Sequence, residues 1–364
     1  MHDEYRIGDR WTLIDLFAGC GGLTLGFTKT GVFAPILAVE SDADAAETYA
    51  LNFGPHVFDA PIERYGEFSK AAVVVGGPPC QGFSNLNMAR VGLERRGLWR
   101  EYLRALAQAE PLAFVMENVP ELLKSGEYAA FRQAAEARGY NVEGRILNAA
   151  DYGVPQTRRR AIVIGTRVIE PLFPLPTHAD PDTGSHLPSW RDFRWAVRDG
   201  AIEEFQGAPR RLSDKPDGAN WHRPRTPTPL SLERYRAIPE PGQNRFDLQR
   251  VRPDITPKCW LNKPTGSTDV FGRLWWDRPT VTIRTEFYKP EKGRYLHPQE
   301  HRPITVREAA RCMTFPDDFI FPEHQSMTSV GRQIGNAVPP LLAYRLAEAL
   351  AESLRAGVPE AAAA

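Results

Sequence analysis

The chain has 364 residues, 42% hydrophobic and 25% charged, and its 45 basic and 45 acidic side chains leave a formal net charge of zero. That length accommodates a large core and two domains, while the neutral balance gives no argument for nucleic-acid binding from net charge. No apolar run approaches the roughly 18 residues of a membrane span and the N-terminus lacks a signal-peptide pattern; Cys20, Cys80, Cys259 and Cys312 stand apart with no CxxC, which argues against a disulfide framework or zinc site and fits a reducing cytoplasm.

Residues 11–17 (WTLIDLF) predict a short apolar strand running into Gly19, Gly21 and Gly22, and residues 21–31 predict a helix ending at Gly31. Glycines at such a turn permit a tight reversal and let a ligand approach the backbone. A second strand over 35–40 ends on Glu40, about 20 residues beyond the turn, where an acid can hold ribose hydroxyls. A helix follows over 42–53, and Asp59 lies beyond it, placed to take an adenine amino group. Each acid alone reads as a solvated loop carboxylate. At successive loops of one sheet edge they read as an adenosine site. The absence of GxxxxGK[ST] argues against a phosphate-cradling loop.

The run 71–77 (AAVVVGG) predicts a strand buried on both faces. Cys80 follows at its mouth, in GGPPCQGFS. A lone cysteine is usually a buried hydrophobe, but prolines and glycines at a strand end can present a thiolate rigidly, and the thiolate is the reactive form. A helix over 99–110, a strand over 112–119 carrying Glu117 and Asn118, a helix over 128–139 and a strand over 158–166 complete a β–α alternation. That order implies a parallel, doubly wound α/β sheet with helices on both faces and ligands outside the carboxyl ends of its strands. Arg158 and Arg160 enter the last strand one residue apart, a spacing that points both to one side.

From about residue 168 the texture changes: 21 of the 32 prolines lie between residues 171 and 324, and 19 of the 24 basic residues there are Arg. Arg suits bidentate contacts to phosphates and base edges, though a loop-rich domain of Arg-favouring composition reads the same way. Helical pattern returns at 305–313 and 339–357, and no internal repeat is present.

In this order, DLFAGCGG, GGPPCQGFS, ENV, QTRRR, REAARCMTFPDDF and QIGNAVPP resemble the motifs of the DNA (cytosine-5-)-methyltransferase family, bacterial restriction–modification type. They span nearly the whole chain. The resemblance implies a Rossmann-like methyltransferase sheet that binds S-adenosyl-L-methionine in residues 1–167. It implies a smaller irregular target-recognition domain in 168–324, and a segment over 325–364 returning to the catalytic domain. Cys80 would attack carbon 6 of a cytosine, making carbon 5 the nucleophile that takes the methyl group. Glu117 would bind the exocyclic amino group and ring nitrogen 3, Arg160 the carbonyl oxygen, and Arg158 would stabilise the site around Cys80. Phe17, Ala18, Gly19, Cys20, Gly22 and Leu23 would line the cofactor, with Glu40 on its ribose and Asp59 on its adenine. Ser41, Ala60, Pro79 and Leu98 would flank them, and Asn336, Ala337 and Val338 would close the pocket. No metal is implied.

The target atoms are buried in a duplex, so the base must be flipped out. Residues 84–99 resemble a lid, with Ser84, Arg90, Arg95 and Arg96 on DNA; Arg273, Arg284 and Thr285 are the expected contacts of the target-recognition region. Three departures stand out. Ser41 is small where the family often has a larger residue, LERRG replaces an acidic-Pro-Arg-Asn lid, and RCMTFP replaces a Leu-Gln-Gly-type core. The implied setting is a monomer on the bacterial nucleoid, acting on double-stranded DNA beside a restriction endonuclease that works separately. A transfer-RNA cytosine methyltransferase shares these motifs, but the insert of about 130 residues favours a DNA reader. A dinucleotide-dependent oxidoreductase leaves Cys80 and the Arg pair unexplained, and a non-catalytic DNA-binding relative has no use for both Cys80 and Glu117.

Overall fold

Eight strands form one sheet in the computed structural model, which describes residues 3–79, 97–199, 221–262 and 265–358. In chain order they are β1 (Arg6–Ile7), β2 (Arg10–Leu16), β3 (Phe33–Glu40), β4 (Val57–Asp59), β5 (Val73–Gly76), β6 (Ala113–Asn118), β7 (Asn141–Asn148) and β8 (Arg159–Thr166). Their order across the sheet is β4-β3-β2-β5-β6-β8-β7, with β1 pairing β2. The chain steps outward from β2 through β3 to β4, then returns to lay β5 on the other side of β2 and β6 beyond it. That switch between β2 and β5 opens a crevice at their carboxyl ends.

The expected parallel order holds from β4 to β6. It fails at β8, which runs antiparallel to both β6 and β7. The cause is β7, which mixed polarity concealed. A parallel crossover needs a dozen or more residues, usually with a helix, and residues 149–158 hold only the short 3₁₀ turn Ala149–Tyr152. β7 and β8 therefore pair as antiparallel neighbours, from Asn141 opposite Thr166 to Asn148 opposite Arg159.

The chain divides into two units. The described residues of 1–152, 159–177 and 337–364 form the first, which carries the sheet. Its helices are α1 (Gly22–Lys29), α2 (Ala43–Phe53), α3 (Leu98–Ala109) and α4 (Gly126–Glu136), joined by the C-terminal helix Pro340–Gly357. Asp42 and Ser125 cap α2 and α4 through their side chains, each satisfying an otherwise unpaired backbone N–H. Val73, Val74 and Val75 of β5 are fully buried, as a central strand covered on both faces requires. Tyr102, Phe114, Phe131 and Tyr140 build an aromatic cluster with edge-on contacts between their rings. The C-terminal helix is packed against α1 at Gly26, where a Cβ would lie 2.5 Å from the Ala343 Cβ and the Pro340 carbonyl oxygen.

The second unit comprises the described residues of 153–158 and 178–336. The division thus differs from three consecutive segments: residues 153–158 leave the first unit, and the chain rejoins it at 337 rather than 325. Here the helices are α5 (Pro229–Ala237), α6 (Arg245–Val251), α7 (Lys258–Leu261), α8 (Val306–Cys312) and α9 (Met327–Asn336), making the C-terminal helix α10. Of these only α8 shows in the periodicity of the sequence; α5 opens on proline, and α6 and α7 are short. Tyr235, Ile238, Leu248, Phe271 and Leu296 form a small core. Polar interactions supplement it. The α8 capping box joins Thr305 to Glu308, and Glu308 also takes two 2.8 Å bonds from Arg302.

Gly26→Val places three extra carbons where α1 meets α10. Overpacking of this kind costs about 1–3 kcal/mol, and the urea midpoint is expected to fall accordingly. An unchanged midpoint would show that the two helices are not in close contact.

Candidate active site

Strand β2 ends at Leu16 and enters a turn in which Phe17, Gly19 and Gly21 have φ of 57°, 56° and 92°. Glycine takes this region freely. Phe17 does so only under constraint, as residues at functional turns often do. The Ala18 N–H donates to Val39 O at 3.0 Å, and the Gly19 N–H donates to Glu40 Oε2 at 2.8 Å. The other Glu40 oxygen accepts from the Asp42 N–H at 2.7 Å. One carboxylate thus ties the glycine turn to the start of α2. Burial raises its pKa, and these backbone donors oppose the rise.

In the β3–β4 register Glu40 stands directly opposite Asp59, so both acids sit at one sheet edge. A Cβ at Gly19 would meet nothing within 4 Å. Open space therefore faces the turn where a ligand would approach. Gly22 is the reverse case: its Cβ would fall 2.3 Å from the Val338 carbonyl oxygen. Val338 thereby borders the turn, with Ala337 Cβ at 3.3 Å from the same point. Ala18, Cys20 and Leu23 are buried, Ala60 is half-buried, and Ser41 and Asp59 are exposed. Burial pushes the Cys20 thiol far up, so it is neutral and unreactive. Asn336, exposed, ends α9 in the second unit.

The second cluster forms where β5, β6 and β8 meet. A Cβ at Gly77 would stand 3.1 Å from Glu117 Oε2, so the carboxylate lies against the backbone that leads to Cys80. Asn118 Nδ2 donates to the Pro78 carbonyl at 2.8 Å, pinning the same segment to the end of β6. Glu117 Oε1 pairs with Arg160 Nε at 2.8 Å, and both side chains are nearly buried. Strand direction produces this pair. In a parallel sheet the entrance of β8 would lie at the opposite edge from the end of β6; running antiparallel, β8 sets Ile162 opposite Glu117 and Ala161 opposite Asn118, which brings Arg160 alongside. Pro79 is the last described residue of the segment, and Leu98 opens α3. Cys80, Ser84, Arg90, Arg95 and Arg96 lie outside the described residues.

Arg158 belongs to the second unit, where it is buried and donates to the carbonyls of Ile283 (3.1 Å) and Gly335 (3.0 Å). The next residues after Ile283 are Arg284, exposed, and Thr285, half-buried. Their backbone rests on α9 at Gly335, whose Cβ would lie 2.4 Å from the Thr285 nitrogen. Arg273 requires a correction. It is not a surface residue: it is fully buried and its guanidinium donates to the carbonyls of Tyr235, Ile238, His297 and Glu300. Four backbone acceptors leave no face of that fork for a phosphate or base. One residue passed over in the sequence is Asp15. It is fully buried in β2, with Oδ2 accepting from Thr24 at 2.7 Å and Oδ1 without a hydrogen bond. An acid inside an apolar strand was the available signal. Among the described residues no group of three or more His, Cys, Asp or Glu could hold a metal, and no helix is long and apolar enough to cross a membrane.

Truncating Arg273 to Ala would strand those buried carbonyls, at roughly 1–3 kcal/mol for each that water cannot reach. The expected result is a clear fall in unfolding midpoint. A fully stable variant with weakened DNA binding would restore the surface role.

Comparison with known proteins identifies the family. A family model described as C-5 cytosine-specific DNA methylase matches residues 11–352. The Type II methyltransferase M1.HphI of Haemophilus parahaemolyticus is 33% identical over 355 residues, covering 93% of this chain and 86% of that one. M.XorII of Xanthomonas oryzae pv. oryzae, also a Type II methyltransferase, is 33% identical over 94% of this chain and 85% of its own. Among solved structures, a prophage-encoded DNA modification methyltransferase of E. coli superposes with a TM-score of 0.66 at 24% identity, over 94% of this chain and 99% of that one. The Dnmt2 methyltransferase of S. pombe gives 0.64 at 15% identity, over 95% and 100%. At those identities the two structures speak for the fold.

Proposed function

The chain belongs to the C-5 cytosine-specific DNA methylase family and is a DNA cytosine-5 methyltransferase; from that premise we propose how its own residues carry the reaction. The observation that carries the proposal is the Glu117–Arg160 pair, held at 2.8 Å against the backbone of Gly77, three residues before Cys80. Cys80, as thiolate, attacks carbon 6 of a cytosine flipped out of the duplex. Glu117 hydrogen-bonds the exocyclic amino group and ring nitrogen 3, drawing electron density from the ring as charge develops. Arg160 takes the carbonyl oxygen and, through its pair with Glu117, sets the angle of that carboxyl group. Carbon 5 then accepts a methyl group, its proton is removed, and Cys80 departs.

S-adenosyl-L-methionine supplies the methyl group when bound. The residues present fit it: open space over Gly19, two carboxylates in register at the sheet edge, and a strained Phe17. Phe17, Ala18, Gly19, Cys20, Gly22 and Leu23 line this site, Glu40 holds the ribose and Asp59 the adenine, with Ser41, Ala60, Pro79, Leu98, Asn336, Ala337 and Val338 around them. Arg158 acts one step back. By holding the Ile283 carbonyl it orders Arg284 and Thr285, which we set against DNA.

The loop-rich second unit serves as the target-recognition region, and Ser84, Arg90, Arg95 and Arg96 contact the duplex. The protein works as a monomer in the bacterial cytoplasm, on the nucleoid, protecting sites from a separate restriction endonuclease. The names of its relatives weigh toward DNA over transfer RNA.

The test is methyl transfer from labelled S-adenosyl-L-methionine to unmethylated duplex DNA, with base-resolution mapping. Methylcytosine is expected in one short sequence. Cys80→Ala is expected to abolish it, and Glu117→Gln to slow it by about 10²–10³, the typical loss of a group stabilising developing charge. Transfer to transfer RNA alone would overturn the substrate.

A further inference from the structure

A continuous hydrogen-bond chain runs beneath the glycine turn, through residues to which the reaction assigns no role. Thr24 Oγ1 on α1 donates to Asp15 Oδ2 at 2.7 Å. The same hydroxyl lies 3.1 Å from the Tyr49 hydroxyl on α2, which lies 3.1 Å from His56 Nε2. An ionised carboxylate only accepts, so its charge sets the direction of every link. Thr24 spends its proton on Asp15, its oxygen accepts from Tyr49, and the Tyr49 oxygen accepts from His56 in its Nε2–H tautomer. Every donor in the chain points toward Asp15.

The Tyr49 ring has a separate contact with the turn. A Cβ at Gly21 would fall 2.2 Å from Phe53 Cε2 and 3.0 Å from Tyr49 Cδ2, so the turn rests directly on these rings. The two rings are packed with centroids 4.7 Å apart. Among the described residues, the titratable groups that feel Asp15 are Glu40 on β3, Cys20 in the turn, Tyr49 on α2 and Tyr102 on α3, none of them a cation. Its strand partners, Ala38 and Val75, are apolar.

We propose that Tyr49 is a positioning residue for methyl-donor binding: by completing this chain it keeps Asp15 ionised under the glycine turn, and that buried charge favours the cationic donor over its uncharged thioether product. The proposal rests on the S-adenosyl-L-methionine reading of the turn. Burial pushes the Asp15 pKa up to about 7, with the Thr24 bonds opposing it. A raised acid is ionised only above its folded value, so discrimination should appear as pH rises through about 7 and vanish below it. Burial lowers the His56 pKa, which favours the neutral ring that this direction of bonding uses.

The experiment is calorimetric titration of the full chain with S-adenosylmethionine and with S-adenosylhomocysteine, from about pH 5.5 to about pH 8.5. For the native protein the ratio of product Kd to donor Kd should climb through about pH 7. Thr24→Val, which removes the bond made directly to the carboxylate, should move the climb upward by about one pH unit. Tyr49→Phe keeps the ring and should move it less, on the order of half a unit. Asp15→Asn should flatten it. A ratio independent of pH in the native protein would overturn the proposal while leaving the cofactor site intact. So would Tyr49→Phe following the native curve with native thermal stability. If neither compound binds, the cofactor reading falls and the proposal with it.

Discussion

The reversal of β8 against β6 is the constraint on which the proposed active site depends. Glu117 lies at the end of a strand that runs toward the candidate ligand edge; Arg160 lies at the start of one that runs away from it. Only opposite directions put the end of one beside the start of the other. The resulting ion pair is nearly buried on both sides, so its charges attract through less solvent than those of a surface pair. It also makes it sensitive, since removing one partner leaves a desolvated charge. The pair stands beside Gly77, whose missing side chain admits the carboxylate to within contact of the backbone. Asn118 ties down the adjacent Pro78 carbonyl. The proposed substrate contacts and the segment leading to Cys80 thus share one short length of β6.

The arginines of the second unit divide by what they bond. Arg273, Arg294 and Arg302 are buried and donate mainly to backbone carbonyls or to enclosed carboxylates. Among the described residues of that unit there is no extended ladder of strands to satisfy those carbonyls. A five-donor fork does the task that strand pairing does elsewhere. Arg abundance in a proline-rich region is therefore partly a folding requirement. Arg198 over Trp276 and Arg278 over Trp275 add cation–ring contacts at 4.3 and 4.9 Å.

Much of the first unit was legible in the sequence. The β2 turn, the helix over 42–53 and the Val-rich β5 each carry a strong local signal, either glycine punctuation or periodicity. β4 and β1 were not legible, because two or three residues hold no period. β7 alternates too irregularly to read, and its omission led directly to the parallel assignment of β8. The acids Glu40 and Asp59 were legible as edge residues, since strand ends can be counted. The partners of Arg158 were not legible, and Arg273 was misjudged, for a different reason. Whether an arginine faces solvent or a set of carbonyls depends on partners more than a hundred residues away for Arg158, and about 24 to 38 away for Arg273. Spacing along a chain carries no information about them. Asp15 shows the opposite failure: its burial was implied by the strand, but its neighbours Thr24 and Tyr49 come from two separate helices.

The central claim is that Glu117 and Arg160 act as one unit because β8 is reversed. A double-mutant cycle on kcat/KM for methyl transfer to DNA addresses it most directly, using Glu117→Gln, Arg160→Met and the pair. Contacting residues in one network couple by about 0.5–3 kcal/mol. The account predicts that the double variant loses less activity than the product of the two single losses, with a coupling in that range. Losses that multiply without coupling would mean the two side chains act independently, and the site as described here would be wrong.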